Sequence, residues 1–334
     1  MRDEILTLDY GSGGKKTSRL IEEMILPEVG NPFLQELGDV AILPGSEKIV
    51  FSTDSFVVSP MFFPGGDIGK LAVCGTVNDI AVCGGEPKFL SCSLIAEEGL
   101  ETAVLEKVLH SMRRAAEKAD VQIVTGDTKV VEKGRGDRLY INTAGIGYLQ
   151  YPGLTPKAIR EGDAVILSGT AGDHGIAVML ARSGIMQGNV ESDCAPLAEL
   201  CRAVLSAGAC VRVLRDPTRG GVATTLNEFT EDSREFGIVI DEEAIPVRLE
   251  VTAACELLGL DPLYSANEGK VICIAAAEDA GKVLRAMQET PEGKNAAVIG
   301  RVTKEYPGRV VMRTAFGGDR IIQKLAGAQL PRIC

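Results

Sequence analysis

The sequence predicts a mixed α/β protein built as two domains that meet near residue 150. Three observations carry this reading. The chain has 334 residues, about twice the ~150 of a common domain. Apolar residues make up 45% and charged residues 24%, which suits two buried cores and excludes disorder. Strand-like apolar runs alternate with segments of helical period along the whole chain. Tyr151-Pro-Gly-Leu-Thr-Pro156 has the punctuation of a linker. The expected units are 1–150, 151–325 and a tail, 326–334.

In chain order, Lys15 to Leu26 is amphipathic and predicts a helix that stops at Pro27. Val40-Ala-Ile-Leu43 reads as an apolar strand. Ile49 to Ser52 and Val57-Val58 read as a strand pair around Thr53-Asp54-Ser55. After Pro64-Gly65-Gly66, Asp67 can cap a helix in which Ile68, Leu71, Ala72, Val77, Ile80 and Ala81 keep a 3.6 period. Phe89 to Ile95 reads as a strand, Glu101 to Lys118 as a charged-faced helix, Val121 to Val124 and Leu139 to Tyr148 as strands. In the second half, strands are expected at Ala164–Ser168, Ile238–Ile240 and Val271–Ala277, and near Ala297 and Val310. Helices are expected at Asp173–Ser183, Pro196–Ala207, Gly220–Ser233, Glu250–Leu258 and Ala280–Gln288.

Composition excludes several classes. With 35 basic against 46 acidic residues the formal charge is −11, which disfavours nucleic acid as a partner. Aromatics are 4% with no Trp, poor material for stacking bases. The strongest apolar run, Val271–Ala277, is far below the ~20 residues of a membrane helix. The start, Met1-Arg-Asp-Glu-Ile5, has no apolar stretch of a leader. A soluble, cytoplasmic protein with no membrane partner is expected. Nine cysteines without a CxxC or CxxH pair, and only His110 and His174, argue against structural zinc. Most read as small buried hydrophobes in a reducing compartment. The ninth, Cys334, sits in an aperiodic stretch expected to be a mobile tail; residues 327–334 span about 25 Å when extended.

Several residues suit chemistry. Gly11-Ser-Gly13-Gly14-Lys15 opens a helix, where converging N–H groups and a lysine favour an anion; a plain glycine turn fits equally. Asp39, Asp54, Asp79, Asp127 and Asp216 stand at expected strand ends, in an apolar helix or before a helix. Each alone also suits a cap or turn. Together, beside Gly, Thr or Asn, they suit Mg2+ held jointly with phosphates. Lys129 falls two residues after Asp127, so both share one strand face. Glu268 precedes the most apolar strand, where its pKa can rise and it can act as a general base. His174, in Gly172-Asp-His-Gly175, reads as a cap or hydrogen-bond partner rather than a base.

At this point a resemblance becomes specific. Thr53-Asp-Ser-Phe-Val-Val, Phe62-Phe-Pro-Gly-Gly-Asp-Ile-Gly-Lys-Leu-Ala-Val, Gly75-Thr-Val-Asn-Asp-Ile-Ala and Val124-Thr-Gly-Asp-Thr-Lys-Val-Val are similar to the HypE family of hydrogenase maturation factors. So are Gly172-Asp-His-Gly, Arg215-Asp-Pro-Thr-Arg-Gly-Gly, Ala266-Asn-Glu-Gly-Lys and the terminal Pro331-Arg-Ile-Cys334. The likeness runs from about residue 8 to 334. One departure is Tyr10, where many members carry His. The wider superfamily of aminoimidazole ribonucleotide synthetase and selenophosphate synthetase shares the acids and glycines but not the tail.

The resemblance implies a PurM-like fold whose N-terminal sheets dimerise into a barrel, with ATP and Mg2+ in a cleft. It implies dehydration of a carbamoyl group on Cys334 to a thiocyanate, the source of the cyanide ligand of [NiFe]-hydrogenase iron. HypF supplies the carbamoyl group and a HypC–HypD complex receives the cyanide. On this reading Asp39, Asp54, Asp79 and Asp216 hold Mg2+, and Gly13, Gly14 and Lys15 cover phosphates. Asn78, Gly126, Asp127 and Thr128 also bind the nucleotide, Glu268 takes N–H protons and Lys129 assists. A selenophosphate synthetase is disfavoured because residues 1–73 hold no cysteine. A non-catalytic carrier of Cys334 is the rival of another class.

Overall fold

The computed structural model describes residues 4–38, 40–184 and 190–325. The first half holds α1 (Lys15–Leu20), a π-helical turn (Ile21–Ile25) and α2 (Leu26–Val29). It continues with β1 (Ile49–Phe56), β2 (Phe62–Phe63), β3 (Gly66–Asp67), α3 (Ile68–Val82), β4 (Gly85–Glu97), α4 (Thr102–Ala119), β5 (Gln122–Val131) and β6 (Leu139–Leu149). The second half holds β7 (Ala164–Leu167), α5 (Asp173–Ser183), α6 (Ala198–Ser206), β8 (Val211–Arg215), α7 (Gly221–Thr230) and β9 (Gly237–Asp241). It closes with α8 (Leu249–Leu258), β10 (Ile272–Ala275), α9 (Ala280–Gln288), β11 (Ala297–Thr303), β12 (Val310–Arg313) and β13 (Asp319–Ile322).

Two mixed sheets organise these elements. The small sheet runs β1-β6-β4-β5, with only β4 and β5 parallel. The large sheet runs β13-β12-β9-β11-β7-β10-β8, with only β12 and β9 parallel. Asp67 caps α3 as expected, accepting from the N–H groups of Gly69 (2.8 Å) and Lys70 (3.2 Å). α3 is less one-sided than its period suggests: all its residues but Lys70 and Asp79 are buried. It packs on β1, β6 and β4 and is covered by α4 and α6, so both its faces meet protein. Thr143 of β6 pins it by donating to the Ala72 carbonyl (2.8 Å) and meeting the Thr76 hydroxyl (2.6 Å). Buried hydroxyls are satisfied this way without water.

The structure corrects several expected elements. The first helix passes through Pro27, which occupies the first turn of α2 after a π turn, where a missing N–H is tolerated. Val40-Ala-Ile-Leu43 forms no strand, and Val40 and Ile42 are exposed. The pair expected around Thr53–Ser55 is one strand, β1, unbroken at Asp54. β5 extends to Val131, so Asp127 lies inside a strand rather than at its end. β8 and β13 were not anticipated. β13 is a four-residue edge strand with only Ile322 buried, and β8 is short and carries two arginines. Among the eight described cysteines six are buried, but Cys83 and Cys210 are exposed; all eight are free. Tyr10 is buried in the first core, with Lys16 Nζ 5.3 Å from its ring centroid.

Candidate active site

The carboxylates gather where α3 meets the loops of the large sheet. Asp54 lies on β1, and Asp79 lies near the end of α3 with its Oδ2 accepting from Ser52 Oγ at 2.6 Å. Asp216 follows β8 directly, and the turn closes when Thr218 N–H donates to its carbonyl (3.0 Å). The next turn uses Gly220 (φ +77°) and Gly221 (φ +62°), left-handed positions where a side chain would also strike Thr224 and the Leu263 and Ser265 carbonyls. That turn starts α7 and sets Asp216 facing the acids of the first half.

Electrostatics show how close these groups stand. Burial pushes the Asp216 carboxyl up to about 7, and the negative charges of Asp79 and Asp54 push the same way. Asp54 is also raised, by burial first and then by Asp79, while the Ser55 N–H (2.8 Å) and Arg219 oppose the rise. Three carboxylates that face one another, Asp216 buried, Asp79 half-buried and Asp54 open to solvent, form a donor set suited to a hard divalent cation. No three His, Cys, Asp or Glu side chains among the described residues are gathered tightly enough to hold a metal by themselves. The fit is therefore to a cation that also takes oxygens from a ligand, as Mg2+ does with phosphates. Asp39 lies outside the described residues.

Glu268 is 6% exposed and its carboxyl is held well above the ordinary range. Burial is the main cause, followed by Asp216, Asp193, Asp54 and Cys74. Its neighbour Asn267 is tied to the Asp216 turn, because its backbone N–H (3.2 Å) and Nδ2 (3.0 Å) both donate to the Pro217 carbonyl. Asn78 ties the two halves together through its side-chain amide. Its Nδ2 donates to the carbonyls of Ala195 (3.1 Å) and Glu268 (3.3 Å), and its Oδ1 accepts from Leu197 N–H (2.8 Å). His174 is buried, shares a 2.8 Å hydrogen bond with Ser192 Oγ, and is pushed down to about 4 by burial. The hydrogen bond is a role the sequence suggests, and the lowered pKa leaves the ring neutral near pH 7.

A second group forms at the opposite edge of the small sheet. A cavity of about 200 Å³ is lined by Thr17, Ile21, Phe33, Leu109 and Met112 and by Gly126–Thr128 of β5. The loop of Gly13 (φ +78°), Gly14 and Lys15 leads into it, and Gly11 lies so close to β5 that a side chain would meet Val130 N at 2.4 Å. The register aligns Asp54, Thr143, Cys92 and Gly126 across the sheet, three strand spacings or about 14 Å. Asp127 pairs with Ser93 and Lys129 with Ile95, so both project from the face away from α3. Ser52 and Asp54 occupy the α3 face. Within one chain Lys129 and Glu268 are thus on opposite sides of the small sheet.

The model of the AIR synthase related protein N-terminal domain matches residues 37–149, and that of the C-terminal domain matches 160–313. Carbamoyl dehydratase HypE of Rhodobacter capsulatus is 47% identical over 100% of this chain and 99% of its own. The chain belongs to the HypE family of carbamoyl dehydratases. Its fold is accordingly the two-domain PurM-like α/β fold. A solved hydrogenase maturation protein HypE in complex with ATP is 48% identical, with TM-score 0.94 over 98% of this chain and 100% of that one. A HypE–HypF complex matches with 46% identity and TM-score 0.79 over 92% of this chain and 99% of that one. No helix among the described residues is long and apolar enough to cross a membrane.

The HypE-type residues of the sequence reading thus fall into two sets. Asp54, Asp79, Asp216 and Glu268 meet at the domain junction; Gly126, Asp127, Thr128 and Lys129 lie on β5, and Gly13, Gly14 and Lys15 follow Gly11, which packs against that strand. Cys334 and its tail lie outside the described residues. Sequence reasoning missed Asp193, whose only signal was its acid in an otherwise unremarked Glu191-Ser-Asp-Cys194 stretch. It also missed Ser52, Asn267 and Lys270, which sit beside residues it singled out.

Proposed function

We propose that this protein uses ATP to dehydrate an S-carbamoyl group carried on Cys334, making the thiocyanate from which a [NiFe]-hydrogenase iron receives cyanide. The observation that carries the proposal is the buried Glu268 carboxyl, with its raised pKa, beside three carboxylates at the domain junction. The carbamoyl oxygen is a poor leaving group. It attacks the γ-phosphoryl group of ATP while the amide nitrogen gives up one proton, leaving ADP and an S-linked imidoyl phosphate. Loss of the second N–H proton then expels phosphate and leaves the C≡N bond on sulfur, so water departs as part of phosphate.

Glu268 is the base for an N–H proton. Its high proton affinity makes it a strong acceptor once ionised, and its burial keeps water from competing. Asp54, Asp79 and Asp216, with Asp39, would hold Mg2+, which when bound supplies charge neutralisation at the phosphates. A cation there also removes part of the repulsion that keeps Glu268 protonated. The cavity beside Gly126, Asp127 and Thr128 suits a nucleoside base between apolar walls, and Gly13, Gly14 and Lys15 suit the phosphates that follow it. Asn78 contributes through Glu268 rather than through the nucleotide.

We further propose a homodimer through the open face of the small sheet, where Ile49 and Phe51 are exposed, as are Val40 and Ile42 of the segment before β1. Lys129 projects from that face, so it would serve the partner subunit's site. HypF as carbamoyl donor and HypC–HypD as acceptor complete the proposed cycle. The test is intact mass after incubation with the carbamoyl donor and ATP. The chain should gain a carbamoyl group and then lose one water with ADP formed. Removal of Cys334 should abolish both changes, and ATP-dependent product without Cys334 would refute the tail mechanism.

A further inference from the structure

Glu268 is held by its backbone from two directions. Its N–H donates to Asp193 Oδ1 (3.2 Å) and the next N–H, of Gly269, donates to Asp193 Oδ2 (3.1 Å). Its carbonyl accepts from Ala195 N–H (3.3 Å) and from Asn78 Nδ2 (3.3 Å) on α3. The approach is so close that a side chain at Gly269 would meet the Asp193 carbonyl oxygen at 1.9 Å. The Asp193 carboxylate is 2% exposed, and Lys270 Nζ donates to it at 3.1 Å while standing 3.7 Å from Asp173. A buried acid bonded to two consecutive N–H groups and a buried ammonium has no freedom to turn.

We propose that Asp193 and Asn78 are positioning residues that clamp the peptide of Glu268 from the two domains, and so aim its carboxylate. The inference rests on the assignment of Glu268 as base. Asn78 precedes Asp79 in α3, so one helix fixes an acid of the cation set and the peptide of the base together. Lys270 completes the clamp by neutralising Asp193 in a place where an unpaired charge would be expelled. Neither positioning residue needs to touch substrate: misplacement of a reacting group by about 1 Å is enough to cost on the order of 100-fold in rate.

The test is a double-mutant cycle on the water-loss step, followed by intact mass on the carbamoylated full-length protein. Asp193→Asn and Asn78→Ala should each slow water loss 10- to 100-fold while changing the KM for ATP less than threefold. In a Glu268→Gln background the same substitutions should cost less than twofold further, because they act through Glu268. Lys270→Arg should retain most of the rate and Lys270→Met should not. Melting temperatures and the rate of carbamoyl uptake report folding, and Asn78→Asp is the milder second variant at its site. If the losses multiply in the Glu268→Gln background, or if Asp193→Asn leaves water loss at full rate, the clamp is refuted. Full-rate water loss by Glu268→Gln alone would instead refute the base assignment, whatever the clamp variants do.

Discussion

Replacing Asp216 by Asn should stabilise the free protein at alkaline pH and remove its response to Mg2+. Burial and the charges of Asp79 and Asp54 raise this carboxyl from 3.8 to about 7. At about 1.4 kcal/mol per tenfold change in proton affinity, that rise corresponds to at most about 4 kcal/mol. The sign follows from which state binds the proton more tightly. The folded state does, so the stabilisation is complete below pH 3.8 and is lost as pH climbs through about 7. Above that pH the fold carries a buried anion facing two others, and a divalent cation relieves it. Asn keeps the shape and removes the charge. Thermal melts of both proteins from pH 6 to 8.5, with and without millimolar Mg2+, read the effect. The wild type should lose stability over this range and regain it with Mg2+, whereas Asp216→Asn should lose less and gain little from the ion. A variant that melts lower than the wild type at pH 8.5 without Mg2+, or that keeps the full Mg2+ response, would refute the reasoning.

Two other outcomes probe the remaining parts of the site. Gly126→Ala places a methyl 2.4 Å from the Cys92 carbonyl oxygen, so β5 must shift beside the cavity. Overpacking of this kind costs about 1–3 kcal/mol, and the KM for ATP should rise at least tenfold, read by steady-state ADP release. Phe51→Asp puts a charge on the open face of the small sheet; sedimentation should give a monomer, with water loss reduced at least tenfold because Lys129 no longer reaches a partner's site. An active monomer would overturn the placement of Lys129, and a variant that stays dimeric would overturn this interface.

Much of this protein was legible in its sequence because short-range physics wrote it there. Asp67 before an apolar 3.6 period is a helix start in any context, and α3 begins where that signal falls. α5 and α9 begin and end at the expected residues because glycine and acidic punctuation brackets an apolar face. The acids at Asp54, Asp79 and Asp216 stood out because a carboxylate beside Gly, Thr or Asn amid apolar runs needs a reason. What failed was decided by contacts distant in sequence. Val40–Leu43 has strand composition but no partner strand beside it in the described chain, and apolar content alone does not make a ladder. Asp127 reads from sequence as a strand-end acid, and pairing with β4 carries the strand past it to Val131.

The sequence by itself determined the alternation of elements and the cap of α3, because each rests on neighbours within a few residues. Only the tertiary structure decided which of those residues meet. It put Asn78 on the peptide of Glu268, and it tied Asn267 to the Asp216 turn. It set Lys129 on the opposite side of the small sheet from Asp54. The reason is the two-residue period of a strand and the register between strands: one step along β5 changes the face a side chain occupies, and no local signal records which face another domain will cover.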